Sequence, residues 1–179
     1  MIYMLLADGF EEVEALCPLD MLRRAGLPVM TVGVTGKTVT GSHGISVLAD
    51  LLPCEATETP TMLILPGGMP GTTNLDASDV TDQLLSKTLE SGGHVAAICA
   101  APSILGKRGL LQGKQATCFP GFEQTLKGAI LSKACVVTDG NITTAVGMGA
   151  AMHFGHALLS VATDKETADK LAVSAKIQL

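Results

Sequence analysis

The chain carries few charges and has no concentrated basic stretch. Asp, Glu, Lys and Arg make up 16% of its 179 residues, against 47% hydrophobic residues, and the formal net charge is −5. Phosphate backbones are held by clustered Lys and Arg, so no nucleic acid is expected as a partner. The low charge also argues against disorder, and it suggests that a partner subunit covers some apolar surface. Long hydrophobic runs are missing too: the strand-like segment that begins at Ile2 is soon interrupted by Asp8, Glu11 and Glu12. Neither a signal peptide nor a membrane-spanning segment is expected. The five cysteines, Cys17, Cys54, Cys99, Cys118 and Cys135, are odd in number and contain no C-x-x-C pair. A disulfide framework and a zinc site are therefore not indicated, no metal or cofactor is expected, and a reducing cytoplasm fits best. With no repeat, low-complexity tract or linker, residues 1–179 read as one domain.

Alternating signals run along that domain. IYMLLA reads as a strand, Glu11 to Ala25 as an amphipathic helix ended by Gly26, and LPVMTVGV as a strand. TMLILP, a helix from Asp79 to Ser91, the strand HVAAI and a short helix from Ala101 to Lys107 follow. Strands separated by helices of this length predict right-handed crossovers and a mostly parallel sheet with helices on both faces, a doubly wound α/β domain. VVTDGNITTAV reads as a hairpin around Asp-Gly-Asn. Helices from Gly149 to Ala162 and Lys165 to Ala175 close the chain, the last capped by Thr163 or Asp164. Pro18 should kink the first helix, and Arg24 pairs most simply with Asp20 four residues before it, although Arg23 or Arg24 has a second possible role against a partner subunit.

In sheets of this kind ligands sit at the carboxyl ends of strands, and three such ends carry unusual residues. Residues Gly93 to Pro102 read GHVAAICAAP. Small residues at Ala97 and Ala101 let the chain turn from strand into helix at Cys99, a cysteine version of the nucleophile elbow. There the helix N-terminus favours a thiolate, so a depressed pKa and reactivity near neutral pH are expected. The alternative is a buried, inert cysteine at a strand end. After the first strand comes ADGFEEVEA, where Glu11, Glu12 and Glu14 place three carboxylates in four residues. Spacing alone does not say which of them reaches the site, and all three also suit a solvated first helical turn. After TMLIL comes Pro66-Gly67-Gly68, a turn able to present backbone N–H groups to an oxyanion or simply to turn the chain.

Taken in order, ADGFEEVEA, MLRRAGLPV, LILPGGMPGTTNL, VAAICAAP and TAVGMGAAMHFG resemble the ThiJ/PfpI superfamily, in the branch of the parkinsonism-associated protein deglycase and its bacterial relatives. The resemblance runs from Ile2 to the final helix. It implies a flavodoxin-like fold, with Glu14 as a protonated carboxylic acid bonded to the Cys99 sulfur and Gly68 and Ala100 as backbone donors to an oxyanion, beside Gly67. Two departures stand out. TCFP places Phe119 where some relatives have a histidine, and Ala100 follows the cysteine where the protease-like branch has one. His43, in TGSHGIS, stands where relatives often have arginine, so it is either an accessory group or a solvated turn histidine. Cys118 is either a resolving thiol for Cys99 or, on balance, a core residue. His153 and His156 have the spacing of a metal pair without a legible third ligand, His94 is expected to be exposed, and Cys17 and Cys54 read as incidental.

What the resemblance implies is a cysteine-dependent enzyme acting on 2-oxoaldehydes, a glutathione-independent glyoxalase or protein deglycase-like activity in carbonyl and oxidative stress defence. Its partners would be a small 2-oxoaldehyde or a glycated thiol or amine, and a second copy of the chain in a homodimer. A redox-sensing or chaperone-like protein acting through oxidation of Cys99 is the alternative. A cysteine peptidase lacks a legible base, and a role in thiamine synthesis lacks a phosphate-binding motif.

Overall fold

The computed structural model describes residues 1–178. The chain runs as β1 (Ile2–Leu6), α1 (Glu12–Arg24), β2 (Val29–Gly33), β3 (Thr38–Thr40), β4 (Ser46–Leu48), β5 (Met62–Leu65), α2 (Gly71–Asp76), α3 (Asp79–Glu90) and β6 (His94–Ile98). It continues as α4 (Pro102–Lys107), β7 (Gln115–Ala116), β8 (Ile130–Leu131), β9 (Val136–Asp139), β10 (Ile142–Ala145), α5 (Ala151–Ala162) and α6 (Lys165–Ser174). The central sheet has the order β2-β1-β5-β6-β10-β9 and is parallel except for the antiparallel β9 edge. Its five parallel strands follow the flavodoxin-like order, which reverses between β1 and β5.

Strands β1, β5, β6 and β10 are buried along their whole length, as strands covered on both faces must be. Their alternate side chains feed two cores. Tyr3, Leu5, Leu63, Leu65, Val95 and Ala97 pack with Leu84 and Leu85 of α3 and Ile104 and Leu105 of α4. Met4, Leu6, Ile64, Ala96 and Ile98 pack with Leu19 and Leu22 of α1 and Phe154, Leu158 and Leu159 of α5. Helices α1 and α5 lie close together because Gly155 has no side chain: a Cβ there would stand 2.5 Å from Met21 Sδ and 3.2 Å from the Cα of Pro18. This packing seats the first turn of α1 over the ends of the strands.

The hairpin expected around Asp-Gly-Asn is β9–β10, with Asp139 opposite Ile142. Asp164, not Thr163, caps α6, accepting from the Thr167 N–H at 2.8 Å, while Thr163 Oγ1 donates to the Leu159 carbonyl. Helix α1 stays a single helix through Pro18. Two small pairings, β3–β4 and β7–β8, have strands too short to show a two-residue period in sequence. Among the described residues, no helix is long and apolar enough to cross a membrane.

The expected exposure of His94 is corrected. It is buried, and its Nε2 lies 2.8 Å from Thr143 Oγ1, because β6 begins inside the sheet. Burial pushes its pKa down to about 4, so the folded chain holds the ring neutral. Above the unfolded value of about 6.5 neither state binds this proton. As pH falls, the unfolded chain takes it up first, and stability drops by about 3 kcal/mol over the interval down to about 4. Urea unfolding between pH 7 and pH 4, with the unfolded His reference near ~6.5, should therefore show a shallower acid limb for His94→Gln than for wild type; identical limbs would contradict the burial.

Candidate active site

Four strand ends meet at one edge of the sheet, beside the point where strand order reverses. Strand β1 leads into the turn before α1, β5 into Pro66-Gly67-Gly68, β6 into Cys99, and β10 into Gly147-Met148. Between the end of β6 and the start of α4, Cys99 takes a left-handed backbone conformation with φ of 66°. A side-chain-bearing residue there costs about 1–2 kcal/mol. Two hydrogen bonds hold it: its N–H donates to the Ala145 carbonyl at 2.9 Å, and its carbonyl accepts from the Phe119 N–H at 2.8 Å. The neighbours Ala97, Ala100 and Ala101 are buried, while the sulfur-bearing residue stays partly exposed.

The structure separates the three acids of E-E-x-E. Glu11 is the N-cap of α1, its Oε2 accepting from the Glu14 N–H at 2.7 Å. Glu12 turns away from solvent and holds the β3–β4 turn, accepting from the His43 N–H at 2.8 Å and from His43 Nδ1 at 2.9 Å. Although desolvation raises its pKa, these bonds and the Ile45 N–H outweigh it and hold the carboxyl at about 2. Glu12 is thus a buried structural acid, not the solvated first-turn residue that its position allows. Glu14, 1% exposed, enters the site: its Oε2 accepts from the Gly67 N–H at 3.0 Å, and its carboxyl faces the Cys99 sulfur across the space beside Gly147. Gly67 has to be glycine here, since a Cβ would stand 2.5 Å from Glu14 Oε2 and 2.6 Å from Cys99 Cβ.

Desolvation pushes the Glu14 carboxyl up to about 7, helped by the negative charge of Glu11 and opposed by Cys99 and by the N–H groups of Gly67 and Met148. Burial likewise raises the Cys99 thiol, to about 12, and the charge of an ionised Glu14 adds to the rise; the backbone N–H groups of Ala100 and Gly68 pull the other way. The expected low thiol pKa is corrected to a conditional one. An ionised Glu14 raises the thiol, whereas a protonated Glu14 donates its O–H and stabilises a thiolate. The two groups compete for one proton and titrate as a pair.

The remaining residues fall into place around this pair. His43 is 71% exposed and tied to Glu12, whose charge raises its pKa, and its bonds do not extend to Cys99 or Glu14. Glu11, Glu12 and His43 bring one ligand-type atom each within 4.8 Å of one another, but the helix cap and the turn already use their carboxylates. Cys118 is buried in the core, where desolvation pushes its thiol up to about 11, so it is not poised to react. Phe119 stands half exposed at the site. His156 pairs with Asp169 of α6 at 2.8 Å and so joins two helices, and Arg24 pairs with Asp20 as its spacing suggests. Arg23 is engaged within its own chain, by Asp50 and the Val29 carbonyl. A hollow of about 640 Å³ runs along α6, but its ions are paired with each other and its hydroxyl, that of Ser174, donates to the Leu171 carbonyl. Gly147 and Met148, to which the resemblance through TAVGMGAAMHFG assigns no role, also lie at the site; the signal is a Gly-Met-Gly run just after a buried strand.

With a protonated Glu14, Cys99 should be the first of the five cysteines to react. Cys118 and Cys17 are held as thiols by burial, and Cys54 and Cys135 are exposed without a bonded acid. Peptide mapping after brief iodoacetamide treatment near neutral pH should find Cys99 alkylated ahead of Cys54 and Cys135. Faster labelling of either exposed cysteine would remove the thiolate from the site.

Comparison with known proteins places this geometry. A family model described as the DJ-1/PfpI family matches residues 1–161. Protein dj-1beta of Drosophila melanogaster is 34% identical over 172 residues, covering 94% of this chain and 92% of that protein. A protein named as a deglycase in Pyrococcus horikoshii is 36% identical over 141 residues, covering 76% and 84%. The chain spans only 38% and 44% of the length of two Arabidopsis thaliana homologues. A solved structure of oxidized Toxoplasma gondii DJ-1 is similar with a TM-score of 0.95 at 33% identity, covering 99% of this chain and 98% of that one. With sequence and fold agreeing over nearly its whole length, the chain belongs to the DJ-1/PfpI family.

Proposed function

We propose that this protein is a cysteine-dependent enzyme that converts 2-oxoaldehydes to 2-hydroxy acids without glutathione, or removes the related early adducts from thiols and amines. One observation carries the reading: a buried carboxyl, raised to about 7, lies against the sulfur of Cys99 and is able both to give and to take a proton near neutral pH. Relatives named as deglycases support it.

The thiolate attacks the aldehyde carbon, the C–S bond forms, and the carbonyl electron pair moves to oxygen on the side of the Ala100 and Gly68 N–H groups. Glu14 gives that oxygen its proton, which leaves a hemithioacetal and a carboxylate. The carboxylate removes the hydrogen from the former aldehyde carbon and returns it to the adjacent carbon, while the hydroxyl proton passes to the neighbouring oxygen. The product is an α-hydroxy thioester. Water cleaves the thioester, which for methylglyoxal releases lactate and restores the thiol. A peptidase would need a base beside the cysteine, and His43 is held by Glu12 instead.

The reading includes a homodimer. Val13 on α1 and Ile45 and Leu48 around β4 are large apolar side chains left exposed, on the segments that the resemblance assigns to a two-fold contact beside the site. Sedimentation at micromolar concentration should give twice the chain mass, and a monomer would contradict the pairing.

Lactate release from methylglyoxal tests the chemistry. Wild type should release it and Cys99→Ser should not. Glu14→Gln should lower kcat by at least about 100-fold with a smaller change in KM, because the amide donates a hydrogen bond but relays no proton. His43→Ala should cost only a few-fold. A folded wild type that releases no lactate would sink this reading in favour of oxidation of Cys99, which draws on the same anion.

A further inference from the structure

Gly147 leaves a small space at the centre of the site. A carbon placed where its Cβ would be stands 3.8 Å from Cys99 Sγ, 3.7 Å from Glu14 Oε1 and 3.2 Å from Phe119 Cδ2. Nucleophile, acid and aromatic ring edge therefore border the same point, which a side chain at Gly147 would fill. The ring itself is 48% exposed, so it extends from this point toward solvent. Two further apolar side chains are exposed on chain neighbours of the site: Met69, next to Gly68, and Met148, next to Gly147, are each 54% exposed.

The charges that act on the pair are negative. The charged neighbour acting on Glu14 is Glu11, and the one acting on Cys99 is Glu14. His43, on the β3–β4 turn, is spent on Glu12 at 2.9 Å. A substrate carboxylate would be repelled by the charges that act on this pair, whereas a neutral apolar substituent at the point beside Gly147 would meet the ring of Phe119.

We infer that Phe119 is a specificity residue: the substituent beside the reacting carbonyls lies against its ring, so the preferred substrates are neutral 2-oxoaldehydes bearing an apolar alkyl or aryl group, and anionic 2-oxo compounds are excluded. The inference rests on the proposed 2-oxoaldehyde chemistry for its substrates, but the ring and the sulfur share this space whatever the reaction. Phe119 therefore supplies a binding surface in the place where a histidine would have supplied a proton.

The test has two parts. In the first, kcat/KM is measured for phenylglyoxal, methylglyoxal and unsubstituted glyoxal with wild type and Phe119→Ala. The substitution keeps the backbone N–H that bonds the Cys99 carbonyl and alters a half-exposed side chain, and a thermal melt checks folding. The phenylglyoxal-to-glyoxal ratio should fall about three- to tenfold in the variant, the range of one aromatic contact. An unchanged ratio would overturn the inference. In the second part, which needs no turnover, Cys99 is alkylated with phenacyl bromide and with bromoacetone, each rate normalised to that of free glutathione. Wild type should favour the aromatic reagent and Phe119→Ala should lose that preference, even if none of the aldehydes is turned over. Equal normalised rates in wild type would show that the ring recognises nothing.

Discussion

The close approach of a buried carboxyl, that of Glu14, to the sulfur of Cys99 sets the terms for the rest of this structure. Either group alone in that position is driven toward its neutral form by desolvation, and Glu14 and Cys99 are both raised for that reason. Together they can carry one negative charge only if the other keeps its proton. That arrangement demands close approach, and close approach explains the local sequence. Gly67 has no room for a side chain between the two groups, Cys99 is bent into a left-handed conformation, and Gly155 lets α5 pack closely on α1, the helix that carries Glu14.

The neighbouring acids show how strongly surroundings divide identical side chains. Glu11 caps the helix, Glu12 is ionised and bonded to the β3–β4 turn, and Glu14 is the raised acid. Three carboxylates within four residues thus do three different things, according to whether each meets backbone N–H groups, an imidazole or a sulfur. His43 follows from the same division. Its bond to Glu12 fixes a turn and takes the ring out of the competition for protons at Cys99.

Much of this is legible in the residues themselves. The uninterrupted apolar strands, the helices between them and the Asp-Gly-Asn turn specify a parallel sheet with an antiparallel edge, and A-A-I-C-A-A-P marks the bend at Cys99. The choice of Glu14 over Glu11 and Glu12 is not written in their spacing, because it depends on which carboxyl meets Gly67 and Cys99 from distant strands. His94 looks polar at a strand start, yet the strand begins inside the sheet and the ring is buried. The condition on the thiol is not visible either: a helix N-terminus can be read from the residues, whereas the desolvation that raises both Cys99 and Glu14 cannot. Phe119 likewise reads as a missing histidine until Gly147 shows what the ring borders.

The location of the charge in the pair is the central claim, and ultraviolet absorbance of the thiolate measures it directly. The difference between wild type and Cys99→Ser, followed across pH, should show thiolate appearing below about 8.5, the value of a free cysteine, because Glu14 retains the proton. A sulfur that stays protonated until pH approaches about 12 would mean that the charge rests on Glu14 and that the pair does not hold a nucleophile near neutral pH.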